Sequence, residues 1–164
     1  MLSKSFLLKT ALPIIIFAAG TDRILKSFIF DYLRSIPEKS IAITSFFSIT
    51  QVWNLGVSFG FLRASESKGI ILLLLLTTFI IGFLIYLLLK AQTSLEVIGL
   101  SCIIGGAFGN LLDRLYYGAV YDFLDFHLLQ IHFWTFNPAD AYITIGAVIL
   151  IVDQIISFLN RSKG

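Results

Sequence analysis

Asp122, in Val120-Tyr-Asp-Phe-Leu-Asp-Phe126, and Asp140, in Phe136-Asn-Pro-Ala-Asp140, bracket a short polar segment between two long apolar runs. An ionisable side chain at the centre of a membrane helix costs about 2.5 to 3.5 kcal/mol on insertion scales, so such residues have a partner or a task. Two carboxylates that meet at one membrane face suit acid and base chemistry. The ionised one takes a proton from water, and the protonated one polarises a carbonyl. Their sequence contexts push them apart. Val120, Tyr121, Phe123 and Leu124 surround Asp122 with groups that disfavour its charge, whereas a helix start at Asn137-Pro138 favours the ionised form of Asp140.

Asp140 also admits a plainer role. Asn137-Pro-Ala-Asp140 reads as an N-cap, a proline at the first helical position and an acid at the third, so Asp140 serves as a helix cap in that reading. That role leaves Asp122 unexplained. Two further polar sets lie near the same membrane face: Asp22 with Lys26, and Asn110 with Asp113 and Arg114. Spacings of three and four residues put each set on one helical face, which is consistent with two self-neutralising ion pairs. Gly105, Gly106 and Gly109 precede the second set and allow close backbone approach there, which favours a working site.

Other chemistries have less support. His127 and His132 are five positions apart without a His-Glu-x-x-His frame, Cys102 is the single cysteine, and a serine nucleophile would need an activating base. No metal, cofactor or disulfide is implied.

The elements that must position these groups follow from composition. Of 164 residues, 57% are hydrophobic and 13% charged, which places the chain among integral membrane proteins. Ile70 to Leu89 is free of charge, and about twenty helical residues cover the roughly 30 Å hydrocarbon core. Residues 7–30, 95–112 and 139–159 fit the same length rule with polar interruptions. The expected fold is an all-α membrane protein of four transmembrane helices, with residues 1–164 as a single unit. The start, Lys4 and Lys9 before Leu12 to Ala19, imitates a signal peptide, but the apolar pattern runs on to Phe30 and reads as an uncleaved first span. A net charge of +2 with scattered bases implies no nucleic-acid partner.

Lys4, Lys9, Lys90, Arg161 and Lys163 gather on the side of the termini and the short turn after the second span, so the positive-inside rule makes that side cytoplasmic. Both long loops then face outward. In the first, Ile41 to Trp53 is rich in β-branched and aromatic residues and is followed by the turn signal Asn54-Leu-Gly56, which predicts a small extracytoplasmic β-sheet at the bilayer interface. In the second, the aromatic stretch Phe123 to Phe136 is expected as a short interfacial helix.

Taken together, Asp22-Arg-Ile-Leu-Lys26, Asn54-Leu-Gly-Val-Ser-Phe59, Gly109-Asn-Leu-Leu-Asp-Arg114, Val120-Tyr-Asp-Phe123 and Phe136-Asn-Pro-Ala-Asp140 resemble the lipoprotein signal peptidases, or signal peptidase II, in family order across nearly the whole length. The resemblance implies an aspartic endopeptidase of the bacterial inner membrane that cuts prolipoproteins before a diacylglyceryl-modified cysteine, at the extracytoplasmic face and among membrane lipids. It implies Asp122 and Asp140 as the catalytic dyad. It also implies supporting or substrate-contacting roles for Asp22, Lys26, Asn54, Asn110, Asp113, Arg114 and Asn137. Arg23, where the family often has Gln, and Val57, where a small residue is frequent, depart from the pattern and bear on substrate fine-tuning.

The competing readings are a small transporter or ion relay built on the Asp, Lys and Arg cluster, and an assembly factor that uses it as helix glue. A relay needs polar groups through the membrane depth. Asp153, deep toward the far end of the fourth span, is the exception in an otherwise apolar stretch, and it is expected either to snorkel or to pair with Lys4 or Lys9.

Overall fold

The computed structural model describes residues 2–56, 67–128 and 131–161. Among them are four helices long and apolar enough to cross a membrane: α1 (Lys4–Arg34), α2 (Ser67–Lys90), α3 (Ser94–Tyr117) and α4 (Pro138–Arg161). Each extends a few residues beyond the apolar stretch that marks it in the sequence, because capping and polar residues lengthen helices past the hydrocarbon. Ser3 caps α1 by accepting from the Phe6 N–H at 3.1 Å. Thr93 and Glu96 form a reciprocal capping box on α3, and Gly118, with φ of 70°, ends it in the left-handed conformation.

Helix α3 is the centre of the bundle, buried along its length and packed against α1, α2 and α4. Helices α2 and α4 turn large apolar side chains outward, Phe79 at 73% and Phe158 at 71% exposure among them, as suits helices bathed in lipid. Small residues let the backbones meet. Gly99 and Gly146 face one another across α3 and α4, and a Cβ on Gly106 would collide with the Ala139 carbonyl in the first turn of α4. Gly106→Val should therefore lower stability by about 1 to 3 kcal/mol through overpacking and displace the start of α4. Gly20→Ala, at a position with open space, should be neutral or slightly stabilising. Thermal unfolding of the two purified variants checks this, and equal melting would refute the packing argument.

At the end of the bundle where α1 and α3 finish and α4 begins lies one antiparallel sheet in the order β1 (Ser40–Ala42), β2 (Phe47–Asn54), β3 (Val120–Leu128) and β4 (Ile131–Phe136). The sheet expected in the first loop is present as β1 and β2. The helix expected over Phe123 to Phe136 is not: the described residues of that stretch, 123–128 and 131–136, belong to β3 and β4. β-Branched and aromatic residues dominate Val120 to Phe136, and β2 offers an edge for pairing, with Trp53 opposite Tyr121 and Val52 opposite Asp122. Tertiary pairing across two loops therefore decided the outcome. Val57 and the end of the Asn54–Phe59 motif lie outside the described residues.

Asp153 is buried, and its Oδ1 accepts from the Thr93 hydroxyl at 2.9 Å. Its partner is thus the N-cap of α3 rather than Lys4 or Lys9. The positive end of α3 compensates the carboxylate without a lysine.

Candidate active site

Lys26 is the hub from which the site is built. Its ammonium contacts Asp22 Oδ2 at 2.9 Å, one turn back on α1, and reaches across to α3, where it contacts Asp113 Oδ2 at 2.8 Å and Asn110 Oδ1 at 3.2 Å. All four side chains are buried. The i, i+4 pair foreseen on α1 exists, but it is part of a link between helices. The cations of Asp113 are Lys26 and Arg23, the latter at 3.2 Å, and not its chain neighbour Arg114. Reach explains this: Lys26 and Arg23 approach from the facing helix, whereas the Arg114 guanidinium turns back to the Asn110 carbonyl at 3.4 Å and lies near Asp140 and Asp122. Breaking a buried ion pair of this kind typically costs about 3 to 5 kcal/mol, because the remaining charge is stranded.

Asn110 carries the network toward the two carboxylates. Its Nδ2 donates to Asp140 Oδ1 at 2.8 Å, and its Oδ1 accepts from Asn137 Nδ2 at 3.1 Å. The same Asn137 amide donates to Asp122 Oδ1 at 2.6 Å, and Asn54 Nδ2 donates to Asp122 Oδ2 at 3.1 Å. Asp122 and Asp140 are thereby joined through two asparagine side chains. The cap reading of Asp140 holds as well. Asp140 Oδ2 accepts from the Asn137 N–H at 3.2 Å, while Asn137 Oδ1 accepts from the Asp140 N–H at 3.0 Å. One carboxylate oxygen serves the helix start and the other serves the network, so cap and site are compatible.

The two acids differ in surroundings. Asp122 is 2% exposed on β3, and its carboxyl is pushed up to about 6. Burial is the main cause and the nearby Asp140 charge adds to it, while the Asn54 and Asn137 amides and the Lys26 charge oppose. Asp140 is less buried and opens onto a groove of about 1130 Å³ lined also by Asn54, Phe133, Trp134, Thr135, Phe136 and Thr144. A buried acid with raised proton affinity, tied to a second acid at the wall of an aromatic groove, can share one proton and divide the roles of acid and base. Residues Asp22, Lys26, Asn54, Asn110, Asp113, Arg114, Asp122, Asn137 and Asp140 all come together at this end of the bundle.

Sequence reasoning missed three features. Arg23 binds Asp113 and the Tyr117 hydroxyl at 3.0 Å and lies over the Tyr116 and Tyr117 rings. Thr144 lines the groove, a position readable from its i+4 spacing to Asp140. The β4 residues of the groove wall were hidden by the helical expectation for that stretch.

Two carboxylates joined through amides lie at the end of the four-helix bundle, beside an aromatic groove. The family model of signal peptidase II matches residues 14–156, and the chain belongs to that family. It is 41% identical to the lipoprotein signal peptidase of Rickettsia africae over 140 residues, 85% of this chain and 70% of that protein. Identity to the Rickettsia prowazekii lipoprotein signal peptidase is 37%, over 85% of this chain and 72% of that protein. A bacterial membrane enzyme solved in meso at 2.3 Å superposes with a TM-score of 0.77 at 27% identity, covering 93% of this chain and 92% of that one. A second, at 1.9 Å, gives 0.74 at 29% identity, with 90% and 93% covered.

Proposed function

We propose that this chain is the membrane aspartic endopeptidase that removes signal peptides from prolipoproteins just before a diacylglyceryl-modified cysteine, with residues 1–164 acting as one peptidase domain and Asp122 and Asp140 as its dyad. The observation that carries the reading is the amide-bridged pair of acids, one buried and one at the wall of the aromatic groove. A lipid-anchored substrate presents its scissile bond at the membrane surface, and a groove walled by Phe133, Trp134 and Phe136 suits such a chain.

Asp140, at the groove and at a helix N-terminus, takes the proton from the attacking water. Asp122, with its raised proton affinity, donates to the carbonyl oxygen; as the tetrahedral diol collapses, Asp140 gives the water-derived proton to the leaving amine and Asp122 takes one back from a diol hydroxyl, which restores the singly protonated dyad. A charge count supports one shared proton. Asp22, Asp113, Asp122 and Asp140 face Lys26, Arg23 and Arg114, so one proton on the dyad makes the cluster neutral. Asn54, Asn110 and Asn137 hold the two acids by hydrogen bonds, the Arg114 charge lies near both, and Asn54 also lines the groove. The relay alternative has little support, since the polar groups concentrate at one end of the bundle and Asp153 is engaged by Thr93.

The family and the four helices make this a multi-pass protein of the bacterial inner membrane. The basic residues Lys4, Lys9, Lys90 and Arg161 lie at the opposite end from the dyad, which supports cytoplasmic termini and an extracytoplasmic site by the positive-inside rule. The purified protein in detergent should cleave a diacylglyceryl-modified prolipoprotein, and reporters at Ser45 and Gln92 should read extracytoplasmic and cytoplasmic. Absence of cleavage by folded protein would overturn the activity, and a cytoplasmic reading at Ser45 would overturn the orientation.

A further inference from the structure

Asp122 sits on a strand and Asp140 in the first turn of a helix, so local geometry does not fix their separation. The residue before each one is held in the same way. The backbone N–H of Tyr121 donates to Asp113 Oδ2 at 3.1 Å, and the backbone N–H of Ala139 donates to Asp22 Oδ1 at 2.9 Å. The two receiving carboxylates are joined by the Lys26 ammonium, at 2.8 Å to Asp113 and 2.9 Å to Asp22. All three side chains are at most 2% exposed, so water does not compete for these contacts. Gly109 leaves room for one arm, since a Cβ there would fall 2.5 Å from Asp22 Oδ2.

We propose that Asp22, Lys26 and Asp113 form a two-armed clamp that grips the backbone immediately before each catalytic aspartate and thereby sets the distance between the dyad carboxylates. The proposal rests on the dyad reading above and deepens it. The three are positioning residues, and none of them lines the groove beside Asp140. Two acids that share a proton must be close, and their closeness splits their titrations into two steps that belong to the pair. Loosening either arm widens the gap, so the two steps converge. Asp122 also feels the charges of Asp140, Lys26 and Arg114 and the amides of Asn54 and Asn137. The arms are therefore changed while Lys26 is kept.

Asp22→Leu and Asp113→Leu should each lower kcat by about 100-fold, the scale of an ångström of misplacement, with KM little changed. In both variants the ¹³C-carboxyl titrations of Asp122 and Asp140, followed by NMR in detergent, should move closer together, although the arms hold different aspartates. The double variant should be little worse than either single one, because one broken arm already frees the gap. Asp22→Asn keeps an oxygen for the Ala139 N–H and should recover at least about tenfold over Asp22→Leu. A loss of rate matched by a loss of folded protein, with the spacing of the titrations unaltered, would overturn the clamp and leave only a structural role. If a Leu variant does not fold, the near-isosteric Asp22→Asn and Asp113→Asn carry the same titration, and unaltered spacing in both counts against the clamp. Failure of the dyad itself reads out separately, as cleavage surviving in Asp122→Asn or Asp140→Asn, while the titrations report on the clamp whether or not cleavage occurs.

Discussion

Asp122→Asn and Asp140→Asn should each abolish cleavage of a lipid-modified prolipoprotein in otherwise folded protein, and the double variant should be little worse than either. Asn matches Asp in size but cannot exchange the proton, so the pair loses its acid or its base. Terms of this kind are worth about 10² to 10⁴ in rate, and groups that act as a unit are not additive. Asp140→Asn is the sharper test because of the cap. Its amide oxygen can still accept from the Asn137 N–H, but its NH₂ would then face the Asn110 NH₂ that now donates to Asp140. Asn110 would have to turn its amide and give up its contacts with Lys26 and Asn137, so a modest fall in melting temperature accompanies the loss of rate. Near wild-type turnover in folded Asp140→Asn would reduce Asp140 to a cap and end the aspartic mechanism.

Stability should also depend on Asp122 in a direction opposite to that of an ordinary salt-bridged carboxylate. Its folded value is raised from 3.8 to about 6, mainly by burial and then by the Asp140 charge, so the native protein holds a proton that the unfolded chain releases. The stabilisation is fully present below pH 3.8, is lost as pH rises through about 6, and is flat above that. Two pK units correspond to about 3 kcal/mol. Asp122→Asn lacks this titration but turns an NH₂ toward the Asn54 or Asn137 amide that now donates to Asp122, so whatever constant cost that brings, it should gain stability relative to the wild type between acid pH and pH 7. Unfolding of both proteins from pH 3.5 to 8 reads the effect, together with its coupling to Asp140, as a difference, because the remaining titrating groups are common to both. Curves that stay parallel would show that burial does not penalise the Asp122 charge.

Much of this site was legible from residue types alone. The charge-free run at 70–89 and the i, i+4 pair Asp22 and Lys26 point to spans and a shared face, and Asn137-Pro-Ala-Asp140 announces the start of α4 because the cap chemistry is local. What stayed hidden was non-local. Nothing near Phe123 in the chain says that β2 lies alongside, so aromatic residues between two spans read as an interfacial helix until their pairing partners are known. Asp113 shows the same limit. Its neighbour Arg114 is the obvious cation in sequence, yet Lys26 and Arg23 reach it from a helix some ninety positions away.

The pairing of β2 with β3 has a consequence for how the enzyme is made. Asn54 is synthesised before α2, Asp122 after α3 and Asp140 last, and the first two meet only when strands flanking two intervening membrane helices come together. On the proposed dyad, a nascent chain paused after β3 has its acid but no base and no capped helix to hold one. On that reading hydrolytic power arrives in the final stage of biogenesis, when the fourth helix has inserted and the sheet has closed, and chains still lacking α4 are inert precursors.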